Sequence, residues 1–110
     1  MTTTETIAIT GATGQLGRLV IANLLTLAPA VRVIGLVRNA AAAQDLADRG
    51  VELRVANYDD PASLRTALQS VDKLLLISSS EVGRRVPQHR NVIDAARAAH
   101  VRLLAYTSIL

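Results

Sequence analysis

Three glycines at intervals of three residues, Gly11, Gly14 and Gly17, lie between an apolar segment and a segment with helical periodicity. Glycine permits a tight turn and a close approach of the backbone to a ligand, and the N–H groups at the start of a helix attract phosphate. A glycine string alone is weak evidence, but its place between a strand and a helix favours a phosphate loop over a plain turn. The candidate loop consists of Gly11, Ala12, Thr13, Gly14, Gln15, Leu16 and Gly17.

Arg38 ends the second apolar segment of the chain, directly after Val37. Domains that bind NAD often have Asp or Glu at this position to accept hydrogen bonds from the ribose 2′-OH, and no carboxylate is present here. A guanidinium instead suits a 2′-phosphate through paired, charge-assisted hydrogen bonds, worth roughly 10- to 100-fold in affinity. Arg38 therefore predicts NADPH as the cofactor, against the simpler interpretation of a surface arginine at a strand end.

Polar residues also follow the third and fourth apolar segments. Asn57 lies where such domains contact the adenine, and nearby Asp60 suits a helix cap, so binding and structural roles both stay open. Ser78, Ser79 and Ser80 follow the fourth segment, at the sheet edge where ligands bind in open α/β folds. Their hydroxyls suit the ribose or nicotinamide, although serine also begins many turns.

No catalytic residue can be assigned from the sequence. Tyr106 ends the fifth apolar segment at the same predicted edge, but the Tyr-x-x-x-Lys pair used for proton transfer in many short-chain dehydrogenases is absent. The two histidines, His89 and His100, have no carboxylate or cysteine partner at a suitable spacing, so we expect no metal site. Any redox chemistry would belong to a bound cofactor, because the chain has no cysteine.

The elements that position these residues alternate along the chain. Five apolar, β-branched segments predict strands, and the alanine-rich segments between them predict helices. This pattern predicts an α/β, Rossmann-type doubly wound parallel sheet with strand order 3-2-1-4-5. The predicted strands are Thr6 to Thr10, Val31 to Val37, Val51 to Ala56, Lys73 to Ser78 and Arg102 to Thr107.

The predicted helices have recognisable ends and apolar faces. The second runs from about Ala40 to Arg49 after an Asn39 cap and before Gly50, and the third begins at Asp60-Pro61. Two apolar stripes at helical spacing are expected to face the sheet. In the first helix the stripe is Leu16, Leu19, Val20, Asn23, Leu24 and Leu27, and in the fourth it is Val86, His89, Ile93, Ala96 and His100.

Composition limits the remaining function classes. The 110 residues give room for one domain, 1–110, with a core of Leu, Ile, Val and Ala, because Phe and Trp are absent. The net charge is +3, but the arginines are mostly scattered and lack interleaved aromatics, so we expect no nucleic-acid partner. No apolar segment is long enough to cross a bilayer and no signal peptide is visible. We therefore expect a cytoplasmic protein without membrane insertion.

The sequence stops on its fifth predicted strand, where a doubly wound fold usually continues. We therefore expect an incomplete NAD(P)-binding domain that is truncated before the substrate lobe. An exposed edge strand at this position favours either a homodimer or aggregation.

Several motifs together resemble the type 2 NAD(P)H:quinone oxidoreductases, an NmrA-like group of atypical short-chain dehydrogenases. The glycine loop is common to the whole superfamily, whereas the serine stretch and the Gln-His-Arg-Asn segment are more particular to this group. The motifs are Ile-Thr-Gly-Ala-Thr-Gly-Gln-Leu-Gly (9–17), Leu-Val-Arg-Asn (36–39), Lys-Leu-Leu-Leu-Ile-Ser-Ser-Ser-Glu-Val-Gly (73–83), Gln-His-Arg-Asn-Val-Ile (88–93) and Ala-Tyr-Thr-Ser (105–108).

The resemblance implies a flavin-free and metal-free transfer of hydride from NADPH to a quinone, catalysed mainly by proximity. By position, Gly11 to Leu16 would hold the pyrophosphate, Arg38 the 2′-phosphate, and Ser78 to Ser80 the nicotinamide ribose. Asn57 stands where relatives often have Asp, so this chain lacks the carboxylate that would contact the adenine in those relatives. Two alternatives stay open: an NADP-binding redox sensor of NmrA-like type without turnover, and an inactive fragment.

Overall fold

Strands and helices alternate along the chain in the computed structural model, which describes residues 5–28, 30–57, 59–77, 85–101 and 103–107. Each strand begins and ends within one residue of its predicted limits. The strands are β1 (Thr6–Ile9), β2 (Arg32–Val37), β3 (Glu52–Val55), β4 (Lys73–Ile77) and β5 (Leu103–Thr107). The helices are α1 (Gln15–Leu27), α2 (Gln44–Asp48), α3 (Pro61–Ala67) and α4 (Arg85–Ala98), with a 3₁₀ helix at Ala40–Ala43.

The five strands form one sheet in the order β3-β2-β1-β4-β5, and every neighbouring pair is parallel. Ile9 lies at the middle of this sheet, opposite Gly35 of β2 on one side and Leu75 of β4 on the other. The predicted fold class and strand order are therefore confirmed. The order reverses between β1 and β4, and in open α/β sheets ligands bind at the carboxyl ends of the strands beside such a reversal.

Apolar side chains on both faces of the sheet are buried under helices. Along β2, Ile34 and Leu36 belong to one buried cluster with residues of α3 and α4, whereas Val33 and Val37 belong to a second cluster with residues of α1 and α2. Side chains alternate between the faces of a strand, so burial of both sets requires two helical layers. Within the described ranges, no helix has the length and apolar character needed to cross a membrane.

Helix α1 contacts the sheet through a different face from the predicted one. Leu19 and Leu27 are 60% and 79% exposed, and Leu16 and Asn23 are exposed as well. The buried side of the helix contains Gly17 and Ile21, so the predicted stripe was wrong in most of its members, although Val20 and Leu24 do pack against the core. Gly17 lies on this buried side, and because it has no side chain the first turn of the helix can lie against the backbone of residues 11 and 12.

The predicted second helix is divided into two shorter elements. Asn39 caps the 3₁₀ helix, as expected, because its side chain accepts a hydrogen bond from the Ala41 N–H. The chain then changes to α-helical geometry at Gln44, and Ala43 at the junction is buried. Gly50 follows with φ +96°, which confirms its predicted place after the last turn.

The two later helices pack on the opposite face of the sheet. Asp60 caps α3 by accepting from the Ala62 N–H at 3.1 Å, as predicted. In α4 the buried residues include Val92 and Ala95, while His100 lies beyond the helix, exposed and with φ +59°. The prediction that His100 belongs to the apolar stripe was therefore wrong, because the helix ends at Ala98. The side chains of Val86 and His89 lie outside the described part.

Glu52 joins the edge strand to its neighbour at the end of the sheet opposite the ligand edge. Its carboxylate accepts hydrogen bonds from Arg32 of β2 and, at 2.7 Å, from Arg54 of its own strand. The same Arg54 donates to the Ala67 and Gln69 carbonyl oxygens, at 2.8 and 2.7 Å, at the end of α3. The hydrogen bond from Arg32 and then that from Arg54 lower the pKa of Glu52 from its ordinary value of 4.5.

This lowered pKa makes part of the stability depend on pH. A carboxyl whose pKa is lower in the folded state stabilises the fold above its unfolded pKa and loses that contribution as the pH falls through the folded value. We expect Glu52→Gln to lower the free energy of unfolding at pH 7 by no more than about 1 kcal/mol, because solvent screens the partly exposed pair. In urea titrations, the difference between the variant and the original chain should shrink below pH 4.5. A difference that stays constant with pH would contradict this account.

Candidate nucleotide-binding site

The glycine loop begins with a sharp turn at the end of β1. Gly11 has φ +61°, a conformation that side-chain-bearing residues rarely adopt, and its carbonyl oxygen accepts a hydrogen bond from the Gly14 N–H at 3.0 Å. The Arg18 N–H then donates to the Gly14 carbonyl oxygen at 2.9 Å, which begins α1. The chain thus passes from strand to helix within a few residues, as the glycine spacing predicts.

Gly17 is required by a close contact between the first turn of α1 and the preceding loop. A Cβ atom at this position would collide with the Gly11 carbonyl oxygen and lie 2.9 Å from the Ala12 Cα. At Gly14, by contrast, a Cβ would lie 3.4 Å from the nearest atom, and φ is −76°, which any residue adopts. Two of the three glycines therefore have a steric role, at the turn and at the helix contact.

The N-terminus of α1 lacks a side-chain cap. Gly14 is the N-cap residue and its first turn contains no acidic residue. The first N–H groups of a helix have no carbonyl partner within the helix, and the helix dipole adds partial positive charge there. Residues 13–16 are exposed, whereas Ala12 and Gly17 are buried beneath them. This arrangement suits a phosphate above residues 13–16, with Ala12 and Gly17 as its support.

Thr10 fixes the relative position of the first and fourth strands below the loop. It is fully buried, and its hydroxyl accepts a hydrogen bond from the Ile77 N–H at 2.7 Å and donates to the Ile77 carbonyl oxygen at 3.3 Å. Its own N–H donates to the Leu75 carbonyl oxygen at 3.1 Å. The side chain thus extends the connection between β1 and β4 to the last residue before Ser78. The predicted ligand residues Ser78, Ser79 and Ser80 lie outside the described residues.

Arg38 is the first residue after β2, and it is exposed at the same carboxyl edge of the sheet as the loop. Asn39 follows it and caps the 3₁₀ helix, so the chain turns away from the sheet immediately after the guanidinium-bearing residue. Because all strands are parallel, the ends of β1 and β2 lie side by side. The fold therefore brings Arg38 and the glycine loop to adjacent positions on one edge.

Asn57 follows β3 and its side chain holds the local turn. The Asn57 Oδ1 accepts a hydrogen bond from the Asp59 N–H at 2.9 Å, and the Asn57 N–H donates to the Ser63 Oγ at 3.0 Å. A backbone N–H requires an oxygen acceptor, so the amide is oriented with its oxygen toward the turn. Asn57 is exposed, and its side chain offers donors from the remaining NH2 group. Asn57 therefore has the structural role that its sequence position allowed, because it holds the turn after β3. Its NH2 group could still contact a nucleotide base.

Arg18 connects the glycine loop to the segment after Arg38, a role that the sequence analysis missed. Its Nε donates to the Thr13 carbonyl oxygen at 3.0 Å, its Nη2 donates to the Ala42 carbonyl oxygen at 3.3 Å, and its Nη1 pairs with the Asp45 carboxylate. The signal in the sequence was a cation directly after the last glycine. Thr10 was also missed, although it is a polar residue at the end of an apolar strand.

In the described part of this edge, metal-ligating residues are not gathered into a cluster. Within the described ranges, histidines and carboxylates nowhere form a group of three that could hold a metal ion. Besides the carboxylates of Asp45, Asp59 and Asp60, the described part of this edge offers backbone N–H groups, two guanidinium groups and the Asn57 amide. The N–H and guanidinium groups suit an anionic nucleotide.

Comparison with known proteins identifies related chains. The model of the NmrA-like family matches residues 3–110. Quinone oxidoreductase 2 of Escherichia coli (strain K12) is 62% identical over 104 residues, which cover 94% of this chain and 36% of that protein. The chain therefore spans little more than a third of the length of this relative.

Solved structures match the fold over the same region. The NADPH complex of the E. coli NADPH-dependent quinone oxidoreductase superimposes with a TM-score of 0.90 at 62% identity, covering 94% of this chain and 37% of the other. The NADP(H) complex of triphenylmethane reductase from Citrobacter sp. gives a TM-score of 0.89 at 48% identity, with the same coverage of 94% and 37%.

Substituting the glycines one at a time tests the steric account of the loop. We expect Gly17→Ala to lower the free energy of unfolding by about 1–3 kcal/mol, because the added methyl group forces the helix away from the loop. Gly14→Ala is the matched variant and should cost less than about 1 kcal/mol, mostly because alanine is a poorer N-cap. Urea unfolding of both variants measures the difference. Equal costs at the two positions would contradict the close contact at Gly17.

Removing the Thr10 hydroxyl tests the connection between β1 and β4. Thr10→Val keeps the shape of the side chain but leaves the buried Ile77 N–H without its acceptor, so we expect a loss of about 1–3 kcal/mol in unfolding free energy. Thr26→Val is the control, because Thr26 is exposed on α1 and its hydroxyl contacts a carbonyl oxygen of its own helix. The control should change stability by about 0.5 kcal/mol or less. A similar small effect at both positions would show that the Thr10 hydroxyl does not hold the strands.

Proposed function

We propose that this chain, which belongs to the NmrA-like family, is the cofactor-binding portion of an NADPH-dependent quinone oxidoreductase. The observation that carries the proposal is its 62% identity over 104 residues with quinone oxidoreductase 2 of E. coli. The related E. coli structure is described as a complex with NADPH. NADPH supplies the hydride in such a reaction, and the chain supplies binding and orientation.

The glycine loop is the proposed site of the pyrophosphate. Exposed residues 13–16 precede or begin α1, and the helix has neither a side-chain cap nor an acidic residue in its first turn. An anion there would be stabilised by the backbone N–H groups and the helix dipole. The close contact at Gly17 supports this assignment because it lets the helix begin directly beside the loop.

Arg38 is the proposed ligand of the 2′-phosphate that distinguishes NADPH from NADH. It is exposed at the end of β2, next to the end of β1, and its guanidinium presents several donors to a phosphate. We assign Asn57 to the adenine, because its amide oxygen already accepts from the Asp59 N–H and its NH2 group is available as a donor to a ring nitrogen. An Asp side chain at position 57 would instead offer only hydrogen-bond acceptors to the adenine.

Ser78, Ser79 and Ser80 are the proposed residues beside the nicotinamide ribose. They come directly after Ile77, which the Thr10 hydroxyl holds at the end of β4. Hydride transfer depends on the distance between the nicotinamide and the quinone, so the chemical contribution of this portion is to orient one reactant. The proposed acceptor of the hydride is a quinone.

A steady-state assay tests the activity. The assay uses the protein that contains this cofactor-binding portion, and we expect it to oxidise NADPH faster when a benzoquinone is present. A triphenylmethane dye is the second acceptor to test, because the 48% identical relative is a triphenylmethane reductase. Binding of NADPH without oxidation by either acceptor would contradict the oxidoreductase proposal and favour a redox sensor. Isothermal titration of the 110-residue chain with NADPH separates binding from turnover.

A substitution at Arg38 tests the cofactor preference. We expect Arg38→Ala to weaken NADPH binding by roughly 10- to 100-fold, because it removes charge-assisted hydrogen bonds to the 2′-phosphate. NADH binding should change little. Arg49→Ala is the matched control, because Arg49 is also exposed but lies at the far end of α2. Equal losses for the two nucleotides in isothermal titration would overturn the assignment of Arg38.

A further inference from the structure

We infer that Arg18 is a second specificity-determining residue for the 2′-phosphate, and that Asp45 competes with this phosphate for the Arg18 guanidinium. The inference rests on the proposed function, because it concerns the same nucleotide. It goes further by assigning opposite effects on NADPH affinity to the two members of one ion pair. Arg18 would attract the phosphate, and Asp45 would weaken its binding.

The position of Arg18 is set by both the loop and the helix. It follows Gly17 in the first turn of α1, and its Nε donates to the Thr13 carbonyl oxygen at 3.0 Å. The steric requirement at Gly17 fixes this turn against the loop, so the Arg18 backbone has little freedom to move away. The guanidinium is therefore held at the rim of the proposed phosphate site.

The other end of the guanidinium reaches the segment that follows Arg38. The Arg18 Nη2 donates to the Ala42 carbonyl oxygen at 3.3 Å, and the Ala42 N–H donates to the Asn39 carbonyl oxygen at 3.2 Å. In a 3₁₀ helix the rise is about 2 Å per residue, so Ala42 lies only about 6 Å along the helix axis from Asn39. Asn39 is directly bonded to Arg38 in the chain. Both arginines thus border one short stretch of the sheet edge.

The contact with Asp45 is the one that a phosphate can replace. The Arg18 Nη1 pairs with this carboxylate, and the side chains are 35% and 61% exposed. An ion pair between partly exposed side chains contributes little to stability, because solvent screens it. A phosphate monoester carries about −1.5 to −2 charges at pH 7, against one for the carboxylate, and it accepts hydrogen bonds from two guanidinium groups at once. Arg18 would keep its bonds to the Thr13 and Ala42 carbonyl oxygens and exchange Asp45 for the phosphate.

Asp45 also opposes the phosphate through its own charge. It belongs to the first turn of α2, exposed and next to the proposed site. A carboxylate near a phosphate repels it, so the negative charge of Asp45 lowers the affinity for NADPH more than that for NADH, which lacks the 2′-phosphate. Neutralising Asp45 should therefore strengthen binding of NADPH selectively.

A purely structural role for the ion pair predicts a different pattern. If Arg18 and Asp45 only tie the loop to α2, then removing either partner loosens the loop. The pyrophosphate is common to both nucleotides, so NADPH and NADH would be affected alike. The two substitutions would then change affinity in the same direction.

Isothermal titration of the chain and two variants with NADPH and NADH distinguishes these cases. We expect Arg18→Gln to weaken NADPH binding by about 10-fold and Asp45→Asn to strengthen it by about 3- to 10-fold, as estimated from charge-assisted hydrogen bonds. NADH affinity should stay within about 2-fold in both variants. Thermal unfolding of each variant identifies any loss of fold.

Two charge-matched variants are the controls. Arg65→Gln removes a positive charge from an exposed residue of α3, and Asp48→Asn removes a negative charge from the last residue of α2. Both should leave the ratio of NADPH to NADH affinity nearly unchanged. Equal losses for both nucleotides in Arg18→Gln, or weaker NADPH binding in Asp45→Asn, would overturn the inference while leaving the proposed function intact. Failure of the unsubstituted chain to prefer NADPH would overturn both.

Discussion

The contact between Gly17 and the backbone of residues 11–12 determines how the rest of the site is arranged. Because no Cβ fits there, the first turn of α1 lies directly against the loop. Gly17 and Ile21 lie on the buried side of the helix, whereas Leu19 and Leu27 are exposed. The start of α1, and with it the place of Arg18 in the first turn, therefore depends on this contact with the glycine loop.

A second constraint places this loop against the neighbouring strand. Thr10 is a buried polar residue at the end of β1, and its hydroxyl satisfies both the N–H and the carbonyl oxygen of Ile77. A buried polar group is costly unless it is hydrogen-bonded, so the pairing fixes the two strand ends relative to each other. The start of the glycine loop and the end of β4 are consequently positioned by one side chain. This is the point of the sheet where the strand order reverses.

Much of the fold could be predicted from the sequence because its signals are local. The five strands and the caps at Asn39 and Asp60 depend on residue type and on the immediate neighbours. The buried face of α1 could not be predicted in this way, because leucine periodicity alone does not reveal that Gly17 approaches another part of the chain. Arg18 was missed for a similar reason, since its partners Ala42 and Asp45 are distant in sequence.

The central claim is that one sheet edge holds both the phosphates shared by NADPH and NADH and the 2′-phosphate found only in NADPH. An NMR titration of the isotope-labelled chain with NADP⁺ and with NAD⁺ tests it most directly. The account predicts that backbone amide signals of residues 13–16 shift with both nucleotides, whereas the Nε–H signal of Arg38 shifts only with NADP⁺ and that of Arg18 shifts further with NADP⁺ than with NAD⁺. Identical shifts of these arginine signals with both nucleotides, or no shift in the loop, would contradict the account.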